Sequence, residues 1–181
     1  MMTFHDVLGF WFSSATRPNW FEQSDAFDGE VRRLLLPLHE QAAAGRLAEW
    51  REHPEGCLAS VILLDQVPRN VFRGTPRAFA SDPAARELTR LAIERGYDAG
   101  LDKDQRLFLY LPLEHSEDLA DQRLSVEITR TRIGDPEYLD YAERHLRVIQ
   151  RFGRFPHRNR ILGRPSTEEE IEFLKQPGSS F

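Results

Sequence analysis

The sequence predicts an all-α fold: seven to eight helices in stacked antiparallel pairs, forming one domain over residues 1–181. Three observations predict it. Apolar residues recur at three- and four-residue steps through most of the chain, the period that gathers them on one face of a helix. Serine, aspartate, proline and glycine stand where such helices would start and stop. The one stretch suited to a strand, 107–113, would have no partner strand to satisfy its backbone, so it too is expected as a buried helix, ending near Pro112. Short connections between successive helices favour antiparallel neighbours. A length of 181 residues with 40 % apolar and 29 % charged residues suits one well-buried core and is short of two ordinary domains.

Residues 4–12 read as a short amphipathic opening helix. Residues 24–44 carry Phe27, Val31, Leu34, Leu35 and Leu38 at helical spacing and stop at Gly45. Residues 58–64 are apolar all round apart from Ser60, which marks the buried centre of a bundle. Pro68 brings no amide hydrogen and pushes Val67 out of the α region, so that helix is expected to end or kink there. Asp82-Pro83 reads as an N-cap followed by proline at the first helical position, with Gly96 as the stop. Ser116 is the expected cap of the next helix, and Asp135-Pro136 opens another through about residue 152. Ser166-Thr167-Glu168-Glu169 reads as a capping box with serine at the cap, and the tail, 176–181, is expected to be loosely held.

Two strings echo each other, 68–76 and 156–165. Each follows an apolar helix and gives proline, then Arg-Asn, then a glycine turn with arginine beside it, then proline. One corner used twice, as in a helical-repeat protein, fits this, and so does a chance match of two turn-forming strings.

The net charge is −5. A nucleic-acid surface would be basic, so that partner is not expected. No apolar run approaches the ~20 residues of a membrane helix, and the first residues lack a basic, signal-like pattern. The single cysteine, Cys57, adjoins the apolar run and is expected to be inert core; a cytoplasmic location follows. Five arginines, Arg151, Arg154, Arg158, Arg160 and Arg164, crowd one short segment that contains no acid. Such a cationic focus suits a small anion or an acidic partner within the chain. With Lys103 and Lys175 the only lysines, arginine also serves as this chain's general cation.

Four strings are candidates for chemistry. In Asp65-Gln66-Val67-Pro68-Arg69-Asn70 a carboxylate follows a fully apolar helix, where burial costs several kcal/mol unless it is paired. Asp65, Arg69 and Asn70 either tie off a helix end at Pro68 or line a polar pocket. In His115-Ser116-Glu117-Asp118, followed by Gln122, helix capping explains three of the four residues, and His115 at the helix entry could serve as acid, base or donor. His145 shares a helical stripe with Tyr138, Tyr141, Ala142, Ile149 and Phe152, so it points where the apolar residues point, as a satisfied core histidine or as a ligand-facing one. In 151–159 arginine alternates with phenylalanine. Guanidinium groups beside rings present planar forks to carboxylate or phosphate, or else cap helix carbonyls while their stems cover the core. A Gly-rich phosphate loop, a Gly-x-Ser-x-Gly elbow, His-Glu-x-x-His and paired cysteines are all lacking, so no cofactor is expected, and no spacing selects a metal.

These strings also carry a resemblance. Val7-Leu8-Gly9-Phe10-Trp11-Phe12, Trp20-Phe21, Leu63 through Asn70, Arg73-Gly74, His115-Ser116-Glu117 and Arg151 through Asn159 with Leu162-Gly163-Arg164 resemble the bacterial family known as domain of unknown function 924, over essentially the whole chain. The family pattern usually has phenylalanine where Val67 stands, a departure that alters packing only. The resemblance implies an all-α fold like that of tetratricopeptide repeats, and it implies no activity.

The leading expectation is a site for a small anionic molecule. Arg69, Arg73, Arg151, Arg154 and Arg158 would clamp it, and Asn70 and Asn159 would orient it. His115, His145 or His157 would move a proton if there is a reaction, with Asp65 or Glu117 setting the tautomer. The rival is a tetratricopeptide-like module binding a peptide or protein partner, and a third reading makes the polar strings architectural.

Overall fold

Eight α-helices form among the described residues, 2–180, of the computed structural model, and those residues contain no strand. In order they are α1 (Phe4–Trp11), α2 (Asp25–Ala43), α3 (Pro54–Val71), α4 (Asp82–Glu94), α5 (Lys103–Glu114), α6 (Leu119–Ile128), α7 (Pro136–Phe152) and α8 (Glu168–Leu174). The all-α expectation is met, and residues 107–113 are helical, with Pro112 inside α5. The chain divides into two compact units. One takes in the chain up to Arg73 together with 77–112, the other residues 74–76 and the chain from Leu113 onward.

The first unit is built around α3. Cys57, Leu58, Ala59, Val61, Ile62 and Leu63 are all fully buried, and α1, α2 and α4 pack on this helix. Each buried Val, Leu or Ile contributes about 1.5–3 kcal/mol. Burial also pushes the Cys57 thiol up to about 11, a little offset by Arg95, which leaves it unreactive. The helix enters the core past the 48–52 turn. That approach is so close that a Cβ on Gly56 would lie 2.2 Å from the Trp50 carbonyl oxygen.

The helix does not end at Pro68, contrary to the sequence expectation. It runs on to Val71 because the Leu64 carbonyl, which Pro68 leaves without an amide, finds another donor, and the neighbouring Leu63 carbonyl gains one as well. The Ser81 hydroxyl donates to the Leu64 oxygen at 2.6 Å, and Nδ1 of His39 meets the Leu63 oxygen at 2.8 Å. Asp82, expected as an N-cap, is instead the first residue of α4, and its carboxylate is held by Arg69.

In the second unit α6 packs on α7, around a core of Val148, Ile149 and Phe155 covered by Leu119, Phe152 and Phe173. At its end α6 widens into one π-helical turn, Thr129–Ile133. Asp135 then caps α7, as expected, with its side chain accepting from the Glu137 and Tyr138 amides. Gly153, at φ 69°, stops α7 in the left-handed conformation that glycine tolerates and turns the chain into the 153–159 corner.

Two caps fall elsewhere than expected. Asp118, not Ser116, caps α6, accepting from the amides of Ala120 and Asp121; the Ser116 hydroxyl accepts from the Asp118 amide and donates to Asp121. Thr167 with Glu170, rather than Ser166 with Glu169, forms the capping box of α8. Of the tail, Ser179 is buried and donates to the Leu174 carbonyl, while Phe181 lies outside the described residues.

Candidate functional site

Of the expected site residues, Asp65, Arg69, Asn70 and Arg73 belong to the first unit, and His115, Glu117, His145, Arg151, Arg154, His157, Arg158 and Asn159 to the second.

Asp65 is fully buried at the end of the apolar stretch of α3. Its charge is compensated locally: Gln66 donates to Oδ2 at 2.7 Å, and an Arg69 nitrogen lies 3.3 Å from Oδ1. Arg69 also forks onto Asp82, at 2.8 and 3.0 Å, and donates to the Asp65 carbonyl at 2.8 Å. Burial opposes the charge on Arg69, but Asp65 and Asp82 outweigh it and hold the guanidinium above its ordinary range. Asn70 and Arg73 converge on Asp28 of α2, the amide at 2.7 Å and the guanidinium at 3.0 Å. These four side chains thus fasten α2, α3 and α4 together.

The 151–164 segment behaves similarly at its edges. Arg151 lies over the Phe152 ring and pairs with Glu169 at 2.8 Å. Arg154 forks onto the buried Glu170 at 2.7 and 2.9 Å. Asn159 reaches the same carboxylate at 3.2 Å, and the Thr167 amide donates to it at 2.8 Å. These donors, Arg154 foremost, pull the Glu170 carboxyl down to about 2 against the effect of burial. Glu117 spends both oxygens on Arg164, at 2.7 and 2.8 Å, and also accepts from the Phe155 amide at 2.8 Å. Burial pushes its pKa up, but Arg164, the Phe155 amide and Arg158 together hold it below the usual carboxylate range.

A different group forms around the buried Phe155 ring. The Arg158 guanidinium, itself buried, lies 4.5 Å above the ring, and the His145 and His157 rings are each 5.7 Å away. His115 is 6.4 Å from His145, and His115 and His157 are half-buried while His145 is buried. Nδ1 of His145 faces two acceptors, the Tyr141 carbonyl at 2.9 Å and Oε1 of Glu114 at 3.2 Å. Nδ1 therefore carries the hydrogen and Nε2 is the basic nitrogen. Burial drives the His145 pKa down to about 3. The Tyr141 carbonyl works the other way, and His115, Arg158 and His157 add to the lowering. The ring is accordingly neutral at physiological pH, and its contact with Glu114 is a hydrogen bond rather than an ion pair.

Glu114 is absent from the site that the sequence predicts, and Gln122, which the sequence places after the His115 string, has no role in it. A signal existed for the first: Glu114 closes the apolar run 107–113 much as Asp65 closes 58–64. Gln122, fully buried on α6, donates through Nε2 to the carbonyls of Glu114 at 2.5 Å and Ser116 at 2.7 Å, the residues on either side of His115. Nothing in its sequence position separates it from an ordinary helix-surface glutamine. Among the described residues no group of three or more His, Cys, Asp or Glu side chains is arranged to hold a metal ion. The first unit also carries an open groove of about 610 Å³, lined in part by Arg51, Arg86, Arg90 and Arg95, which contains none of the expected site residues.

Fold and site define an all-helical protein with internally paired arginines and one group of imidazoles around a buried phenylalanine. The chain belongs to the family described as bacterial protein of unknown function, DUF924, whose pattern matches residues 7–178. It is similar to a solved structure of a protein of unknown function, ATU0120, from Agrobacterium tumefaciens. The two share 41 % identity and a TM-score of 0.91, with 95 % of this chain and 96 % of that chain covered. No curated protein matches it. Among the described residues, no helix is long and apolar enough to cross a membrane.

Proposed function

We propose that the protein binds a small anionic molecule, a carboxylate or phosphate, in its second unit, against His115, His157 and Arg158 with His145 behind them. The observation that carries this reading is the gathering of two imidazoles, His145 and His157, and a buried guanidinium about the Phe155 ring, with the His115 ring next to His145. Nearby, Glu117 pairs with Arg164, and Glu114 lies against Nδ1 of the neutral His145. Cationic and donor groups so placed in a weakly screened setting favour an anion. A neutral imidazole with a fixed tautomer also suits proton transfer, should the bound molecule react.

The arginines once expected to clamp the ligand enter this reading differently. Arg69, Arg73, Arg151 and Arg154 are each engaged by a carboxylate of the chain, which supports an architectural role for them; Arg158 is assigned to the anion because it lies buried over the Phe155 ring beside the imidazoles. The rival peptide-binding reading has less support. Among the described large apolar side chains only Phe21, Tyr141 and Ile171 are exposed, fewer than an apolar docking groove needs.

The test is thermal denaturation with inorganic phosphate and with succinate. A ligand at 100 times its dissociation constant stabilises the fold by about 2.7 kcal/mol. His157→Asn, at a half-buried position, is expected to reduce that stabilisation with the unliganded melting temperature unchanged, and Arg158→Gln to abolish it. Stabilisation of equal size in all three proteins would place the anion elsewhere and overturn the proposal.

A further inference from the structure

We infer that the ligand of this site carries a hydroxyl or amino group beside its anionic group, and that Gln122 on α6 recognises it. The inference rests on the anion-binding reading above and names the class of molecule. Gln122 is completely buried. Its amide cannot be turned over, because Nε2 points at the carbonyls of Glu114, at 2.5 Å, and Ser116, at 2.7 Å, with that of Leu113 at 3.5 Å, and an oxygen in that place would be repelled by all of them. Oε1 is thereby fixed as an acceptor, and among the described residues no group donates to it. One turn further along the same face of α6, the Ser125 hydroxyl is likewise buried, at 1 % exposure, and without a hydrogen-bond partner.

A buried polar group left without a partner is costly, so two such groups one helical turn apart call for a reason. Their position supplies one. The carbonyls that anchor Gln122 belong to the residues flanking His115, and Glu114 among them is also the partner of His145. The Gln122 amide is therefore anchored to the segment that carries His115 and the carboxylate partner of His145. A neutral carbonyl oxygen attracts a hydrogen-bond donor and offers nothing to an anion. Beside Arg158 and the histidines it selects a molecule with both, such as a hydroxy- or amino-carboxylate or a hydroxyalkyl phosphate. A site built to bond a ligand's hydroxyl rejects the analogue that lacks it.

Calorimetric titration with matched pairs tests this: L-malate against succinate, and glycerol 3-phosphate against n-propyl phosphate. In at least one pair the hydroxylated member is expected to bind the wild-type protein about tenfold more tightly. Ser125→Ala and Gln122→Met are expected to shrink that ratio to about twofold or less, largely by weakening the hydroxylated member. Should Gln122→Met fail to fold, the wild-type ratios and Ser125→Ala still decide. Equal binding within both pairs would overturn the inference, with Oε1 satisfied by internal water and the anion site intact. Binding by none of the four would overturn the anion-binding reading as well.

Discussion

His145 and Glu114 meet at a single nitrogen: Nδ1 of the imidazole lies 3.2 Å from the carboxylate, with the Tyr141 carbonyl 2.9 Å from the same atom. Two acceptors on one side of a ring fix its tautomer without requiring it to be charged. The folded protein thus holds His145 neutral with a pKa of about 3, whereas the unfolded chain titrates near the ordinary histidine value of 6.5. Between these values the unfolded state binds the extra proton. This contribution to stability is complete above about pH 6.5 and is lost as the pH falls toward 3, by up to about 1.4 kcal/mol per pH unit. Urea denaturation across that range is expected to show the slope in wild type and a shallower one in His145→Gln. Nitrogen NMR at pH 5 should find the His145 ring neutral with its hydrogen on Nδ1. An imidazolium signal there would contradict the assignment.

The continuation of α3 through Pro68 depends on Ser81. Replacing Ser81 with alanine leaves the buried Leu64 oxygen without its donor and is expected to cost about 1–3 kcal/mol. Alanine at position 68 restores the amide that would bond the same oxygen. In the Pro68→Ala background, the Ser81→Ala penalty should therefore fall below about 0.5 kcal/mol. A double-mutant cycle by chemical denaturation measures this, and equal penalties in the two backgrounds would show that the two residues act separately.

That relationship also shows where the sequence was legible. Proline's effect on its own helix is local chemistry and can be read from the chain, but Ser81, which offsets it at the Leu64 oxygen, and His39, at the Leu63 oxygen, come from distant segments. Asp135 and Gly153 were identifiable as the cap and stop of α7 because no competing residue adjoins them. At α8, Ser166 with Glu169 and Thr167 with Glu170 have the same spacing, so the sequence is degenerate by one residue. Tertiary contact decides between them: Glu170 is buried where Arg154 and Asn159 reach it, while Glu169 stays exposed beside Arg151. In the candidate site, the inward face of His145 followed from helical period. Its Glu114 partner and the anchoring of Gln122 depend on how residues 113–116, α6 and α7 pack in the second unit, which no local pattern encodes.

Glu170 gathers more partners than any other carboxylate around α8, so Glu170→Gln is expected to destabilise the protein by about 2–3 kcal/mol near neutral pH. Its carboxyl, held at about 2 in the folded state against an ordinary glutamate value of 4.5, stabilises the fold fully above the higher value. That contribution disappears as the pH drops toward the lower one. The stability difference between wild type and Glu170→Gln should therefore be constant above about pH 5 and shrink steadily below it. A difference that persists at pH 2 would mean that the lost interaction is not ionic.

Gly56 gives the sharpest contrast between local and tertiary effects. Alanine is favoured over glycine in a helix by about 1 kcal/mol, so Gly56→Ala within α3 would stabilise an isolated helix. Here the added Cβ would stand 2.2 Å from the Trp50 oxygen and 3.0 Å from its carbonyl carbon, backbone atoms that have no rotamer to escape into. The turn at 48–52 would have to lift off α3, at a cost of about 2–3 kcal/mol after the propensity gain. Gly29→Ala in α2 serves as the control, because nothing lies within 4 Å of its Cβ position, and it is expected to stabilise by about 0.5–1 kcal/mol. Thermal denaturation of the two variants should move in opposite directions. Trp50 is itself buried in that turn, so its fluorescence should also shift to longer wavelength in Gly56→Ala alone. A stabilised Gly56→Ala protein with unchanged emission would show that the turn is free to yield, and that α3 does not need the close approach.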